Sequence, residues 1–226
     1  MTTAPNLLND DGTASMGTAM MLSHHGIRRD LACFQKALQR IAAGDTSRVE
    51  AVRDEWKSFH ATLHGHHEAE DKGLFPRLSK EHVSARATID QLGTDHRRID
   101  PLLERADGAF AALPKANDAL AVVRELSALL GPHLALEEAE LVPFLRTAKA
   151  FPPPPNDQVA AMQAQGFSWG MHGIAPEVLS ALDAMLPDTL KTRLPAARAA
   201  FAARCERVWG TAKVGAARTP IPDDVA

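Results

Sequence analysis

The chain has 226 residues, 45% apolar and 23% charged, a balance that supports a folded domain with a sizeable core. A net charge of −3 argues against general affinity for nucleic acid or anionic membrane. No run of about 18 apolar residues offers a membrane span, and the start MTTAPNLLNDDGTAS lacks a secretory pattern. Two cysteines, Cys33 and Cys205, make no disulfide framework and point to a reducing, cytoplasmic setting.

Taken in chain order, residues 1–15 form a flexible polar tail and residues 16–147 carry four helical patterns. Apolar residues at spacings of three and four mark the first helix at Met20, Ile27, Leu31, Phe34, Leu38 and Ile41. Gly44-Asp45-Thr46-Ser47 ends it and offers an N-cap to the next. The second helix follows Val49, Val52, Trp56, Phe59, Leu63 and Leu74, up to Pro76. The third follows Ile89, Leu92, Ile99, Leu103 and Phe110, and ends near Pro114. The fourth follows Val123, Leu126, Leu130, Leu141 and Phe144.

A linker over 148–158 contains the extended run Pro152–Pro155. Residues 159–226 form a helical extension, with helices expected near 157–169, 175–186 and 195–213 whose apolar sides cover the bundle. The segment FSWGMHG, with His172, is a candidate lid. No stretch alternates with period two, so the expected fold is all-α: an antiparallel up-down four-helix bundle with additional C-terminal helices.

There is no tyrosine, but there are ten histidines, nine of them before residue 134. Six positions on the apolar stripes are polar instead: His24, His66, Glu70, His96, His133 and Glu137. They belong to an internal repeat. His66-x-x-x-Glu70-Asp71-x-x-Leu74-x-Pro76 matches His133-x-x-x-Glu137-Glu138-x-x-Leu141-x-Pro143, and His24-x-x-Ile27 matches His96-x-x-Ile99. Residues four apart stack on one helix face, so each His-x-x-x-Glu pair aims at a common point. Carboxylates and imidazoles buried without partners would cost several kcal/mol per charged group. A cation removes that cost. Imidazole nitrogen with carboxylate oxygen suits iron, manganese or zinc, and two carboxylates can each span two metals.

These segments resemble the hemerythrin-like, HHE cation-binding family: LSHHGIRRDL around His24, HHEAEDKGLFPRL from His66, DHRRIDPLL around His96, and HLALEEAELVPFL from His133. The resemblance implies a hemerythrin-type bundle holding two iron ions joined by an oxo or hydroxo bridge. Its ligands would be His24, His66, Glu70, His96, His133 and Glu137, with manganese or zinc as substitutes. The chain departs from circulating hemerythrins in two places. Asp100 stands one turn after His96, where they carry a further histidine, and the last-helix carboxylate is Glu137 rather than Asp.

Around this set, His67, His25, His64 and Asp100 are candidates for an additional ligand or for support, and Asp71 and Glu138 for orienting the ligand imidazoles. His60 and His82 are expected on the surface. Two six-coordinate irons need roughly twelve ligand positions, of which about two stay open on this count. Open positions favour binding of, and reaction with, O2, peroxide or NO, an oxidase- or peroxidase-type activity. The alternative is a sensor, a carrier or an iron-storage protein. Catalytic residues, electron donor and oligomeric state are not legible.

Overall fold

The computed structural model describes residues 6–210, and every regular element in it is helical. In chain order these are α1 (Met16–Ala42), α2 (Val49–Ala69), a π-helical turn (Glu70–Leu74), α3 (Phe75–Glu81), a 3-10 turn (Val83–Ala85), α4 (Arg86–Ala111) and α5 (Ala116–Glu140). There follow α6 (Val142–Leu145), α7 (Asp157–Met171), α8 (Pro176–Met185), α9 (Asp188–Lys191) and α10 (Leu194–Trp209). The all-α expectation holds. The end of the last expected helix, 211–213, lies outside the described residues.

The described chain divides into two compact units. One comprises 6–29, 141–206 and 210; the other comprises 30–140 and 207–209. The second unit is a helical bundle. Its centre is Phe34, on the C-terminal half of α1, packed edge-on by Trp56, Phe59, Phe110 and Trp209 at centroid distances of 5.0–5.5 Å. Trp56 also stacks flat on Phe110 at 4.4 Å. Such ring pairs contribute about 0.5–1.5 kcal/mol each beyond the area they bury.

Contacts across the unit fix the helix directions. Arg53 reaches the Phe110 carbonyl, the Trp56 indole bonds Asp107, and His67 lies on His96, so α4 descends as α2 rises. Arg105 pairs with Glu125 and His96 meets His133, so α5 runs opposite to α4. Gln35 on α1 donates to Ser127 on α5.

Two local expectations are corrected. The turn before α2 supplies no side-chain N-cap; the Asp45 carboxylate instead accepts from the Ser47 amide and hydroxyl, and the cap position falls to Arg48. Gly44 carries the chain around at φ +102°, where a side chain would be strained. The helical path also does not end at Pro76. The π-helical turn closes with the Phe75 amide on the Glu70 carbonyl, and Pro76 then sits in the first turn of α3, where its missing N–H costs nothing.

By length and composition alone, α5 is apolar enough to cross a membrane. The same composition suits a core helix, and α5 buries Val122, Leu126, Leu130, His133 and Glu137.

In the first unit the N-terminal half of α1 meets α7. Gly26 faces the Trp169 ring so closely that an added Cβ would stand 2.6 Å from it. Arg29, 1% exposed, donates to the carbonyls of Trp169 and His172 and lies over the rings of Trp169 and Phe201. The Thr18 hydroxyl donates to the Leu7 carbonyl, and Asn9 to that of Arg146, which ties down the segment before α1. Asn156 caps α7 by accepting from the Val159 amide.

Candidate metal centre

Three elements of the second unit aim polar side chains at its interior. α2 with its π-helical turn brings His66, His67 and Glu70; α4 brings His96; α5 brings His133 and Glu137. All are buried except His66, which is partly covered. A widened helical turn at this point is informative, because π-type turns interrupt α-helices most often at functional sites.

The side chains gather into two neighbouring groups. His67, His96 and His133 each bring a ring nitrogen within 4.8 Å of the others, and ligand atoms of His66, Glu70 and Glu137 lie equally close together. His67 stacks on His96 at 4.1 Å, and His96 and His133 stand 5.0 Å apart.

The two carboxylates join the groups. Glu70 Oε1 stands 3.2 Å from His66 Nε2, whereas Oε2 stands 3.6 Å from His96 Nε2. Glu137 Oε1 lies 3.6 Å from His133 Nε2 while belonging to the group of His66 and Glu70. Each carboxylate therefore faces both groups.

On their far side the imidazoles of His96 and His133 face acids, and one of them is hydrogen-bonded. His96 Nδ1 donates to Asp71 Oδ1 at 3.0 Å, and His133 Nδ1 lies 3.7 Å from Asp95 Oδ2. A proton on His96 Nδ1 leaves Nε2 with its lone pair when the ring is neutral. That lone pair then faces a carboxylate oxygen, acceptor against acceptor. Among the described residues neither Glu70 oxygen nor His96 Nε2 makes a hydrogen bond. Burial pushes the Glu70 carboxyl well above the usual carboxylate range, with Glu137 and then Asp71 pushing the same way. A cation between these atoms removes the repulsion and the desolvation cost together. The donor set of imidazole nitrogens and carboxylate oxygens fits a transition-metal ion.

The other candidates divide between the two units. His24 is fully buried on the first-unit part of α1. His25, in the same unit, donates from Nε2 to the His172 carbonyl at 3.0 Å, and the His172 ring packs against Phe201. Glu138 is buried. His64 and Asp100 are exposed, so neither turns inward to add a ligand; the α4 position one turn after His96 looks outward. His67, expected beside the buried stripe, is instead 4% exposed and lies within the histidine group. Asp95 escaped the sequence reading, and its only signal was its place next to His96.

Compared with protein-family models, residues 16–145 match the hemerythrin HHE cation-binding domain. Comparison with curated proteins and with solved structures gave no significant match.

Proposed function

We propose, from the premise that this chain belongs to the hemerythrin HHE cation-binding family, that it houses a non-haem di-iron centre reacting with O2, peroxide or NO. The observation that carries the two-metal reading is the division of Glu70, one oxygen toward His66 and the other toward His96. Glu137, on α5, likewise stands 3.6 Å from His133 while belonging to the group of His66 and Glu70. In this reading His67, His96 and His133 would hold one ion and His66 the other, with Glu70 and Glu137 within reach of both. The sequence repeat adds His24 as a further ligand.

Two iron ions held there would supply electrons to small oxidants such as O2, peroxide or NO. The chain's own part is to hold that chemistry in place. Asp71 fixes the Nδ1 side of His96, which sets tautomer and ring orientation and raises the donor strength of Nε2. Leu63, Leu92, Leu130 and Leu134 are fully buried on the same helices and keep bulk water from the ligand layer. Phe75 lies parallel to His96 at 5.5 Å and shields that ring. The chain has no tyrosine to take up oxidising equivalents, so they would be quenched at the metals or passed to an outside reductant or substrate.

The test is consumption of hydrogen peroxide and NO by iron-loaded protein, followed electrochemically, beside rapid mixing of the reduced form with O2. Turnover that disappears in His96→Ala supports the proposal. A coloured O2 adduct that returns wholly to the reduced state on argon flushing, without peroxide or NO consumption, favours a carrier or sensor instead.

A further inference from the structure

The exposed side of α2 carries a second pair of histidines that the buried centre does not use. His60 and His64 stand one turn apart and line a groove of about 530 Å³ with Trp56, Lys57, Asp107 and Phe110. We propose that this groove is a separate surface site for a divalent d-block cation of the Zn2+ or Cu2+ kind, held by the imidazoles of His60 and His64.

The spacing is that of two histidines on one helix face, four residues apart, a pattern that presents both rings to one ion. His60 is already oriented for the task. Its Nδ1 donates to Asp107 Oδ1 at 2.9 Å, so its Nε2 carries the lone pair when the ring is neutral. A carboxylate behind a ligand imidazole is the usual support for a metal-bound histidine. Asp107 is itself fixed, because the same oxygen accepts from the Trp56 indole at 2.7 Å and Trp56 is 1% exposed.

Charge in the groove also favours a cation. Arg53 is matched by Glu50 at 2.6 Å, and Lys57 by Asp54 at 2.9 Å. Arg53 further donates to the carbonyls of Phe110 and Leu113, which holds its guanidinium in place. Among the described charges of the groove, that leaves the Asp107 carboxylate beside His60. An organic anion would meet that carboxylate instead. His60 lies six residues before His66, about 9 Å along the helix, so the groove and the buried centre are distinct positions.

The experiment uses full-length, iron-loaded protein without an affinity tag, titrated with ZnCl2 and, separately, CuCl2 by isothermal calorimetry. Expected is one equivalent of Zn2+ or Cu2+ beyond the buried centre. Its affinity falls at least tenfold in His60→Ala and in His64→Ala, and by about 10- to 100-fold in Asp107→Ala, while iron content stays at the parent value. Copper bound there should show an electron paramagnetic resonance pattern of two nitrogen ligands, reduced to one in His64→Ala. No extra equivalent, or an extra equivalent with the same affinity in His60→Ala and His64→Ala, overturns the proposal. Loss of this equivalent in His133→Ala but not in His64→Ala also overturns it, because the metal would then belong to the buried centre.

Discussion

Replacing Gly26 by alanine puts a methyl group 2.6 Å from Trp169 Cζ2, 2.7 Å from Cε2 and 2.8 Å from Cη2. All three atoms belong to one rigid ring that is 9% exposed, so no flexible end can move aside. Overpacking of this kind costs about 1–3 kcal/mol. Alanine in place of a helical glycine returns up to about 1 kcal/mol through backbone entropy. The net expectation is a loss of about 1 kcal/mol, or about 2–4 °C in Tm for a chain of this size. Gly166, on α7, serves as the control, because nothing lies within 4 Å of its added Cβ. Gly166→Ala should therefore raise Tm, by about 0.5–1 kcal/mol of stability. The assay is thermal melting followed by circular dichroism on protein of equal metal content. If Gly26→Ala raises Tm as much as Gly166→Ala does, the seat of Trp169 on α1 is not a tight one.

The buried acids give further expectations. In metal-free protein Glu70→Gln should raise Tm, because it removes a carboxylate whose ionisation burial opposes. The gap to the parent should widen as pH rises from about 4 toward the raised Glu70 value. Across that window folded Glu70 keeps a proton that the unfolded chain has released, so parent stability falls. A gap that does not change with pH in thermal melts would count against a Glu70 carboxyl raised by burial. Asp71→Ala should weaken metal binding about 10- to 100-fold, read by competition with a chelator, because it frees His96 Nδ1. Asp100→Ala, on the exposed face of α4, should leave metal affinity unchanged; an equal loss in both variants would mean that the Asp71 bond does not orient His96.

The sequence pattern carried much of this architecture. Spacings of three and four placed the apolar residues of α1, α2, α4 and α5, and Ile27, Trp56, Leu103 and Leu126 are all buried. The two His-x-x-x-Glu repeats singled out polar side chains of which His66, Glu70 and Glu137 share one group. His67, a candidate for an additional ligand, joins the histidine group for a geometric reason. A narrow stripe admits His66 or His67, but a helix in a bundle buries a sector at least about 100° wide, and both turn into it. The π-helical turn at Glu70–Leu74 has no composition of its own and was invisible. Contacts between helices, such as Asp95 beside His133, depend on how α4 and α5 pack rather than on either sequence. Arg29 is buried because the carbonyls of Trp169 and His172, far along the chain, receive it, which no local pattern shows.

Whether the two side-chain groups hold a coupled pair of metals is read most directly by Mössbauer spectroscopy and electron paramagnetic resonance on one oxidised, iron-57-loaded sample of known iron content. Two irons per chain in a magnetically coupled, resonance-silent ground state are expected, since Glu70 and Glu137 each face both groups. One iron per chain, or two irons giving the signal of isolated high-spin ferric ions, would contradict the bridged arrangement.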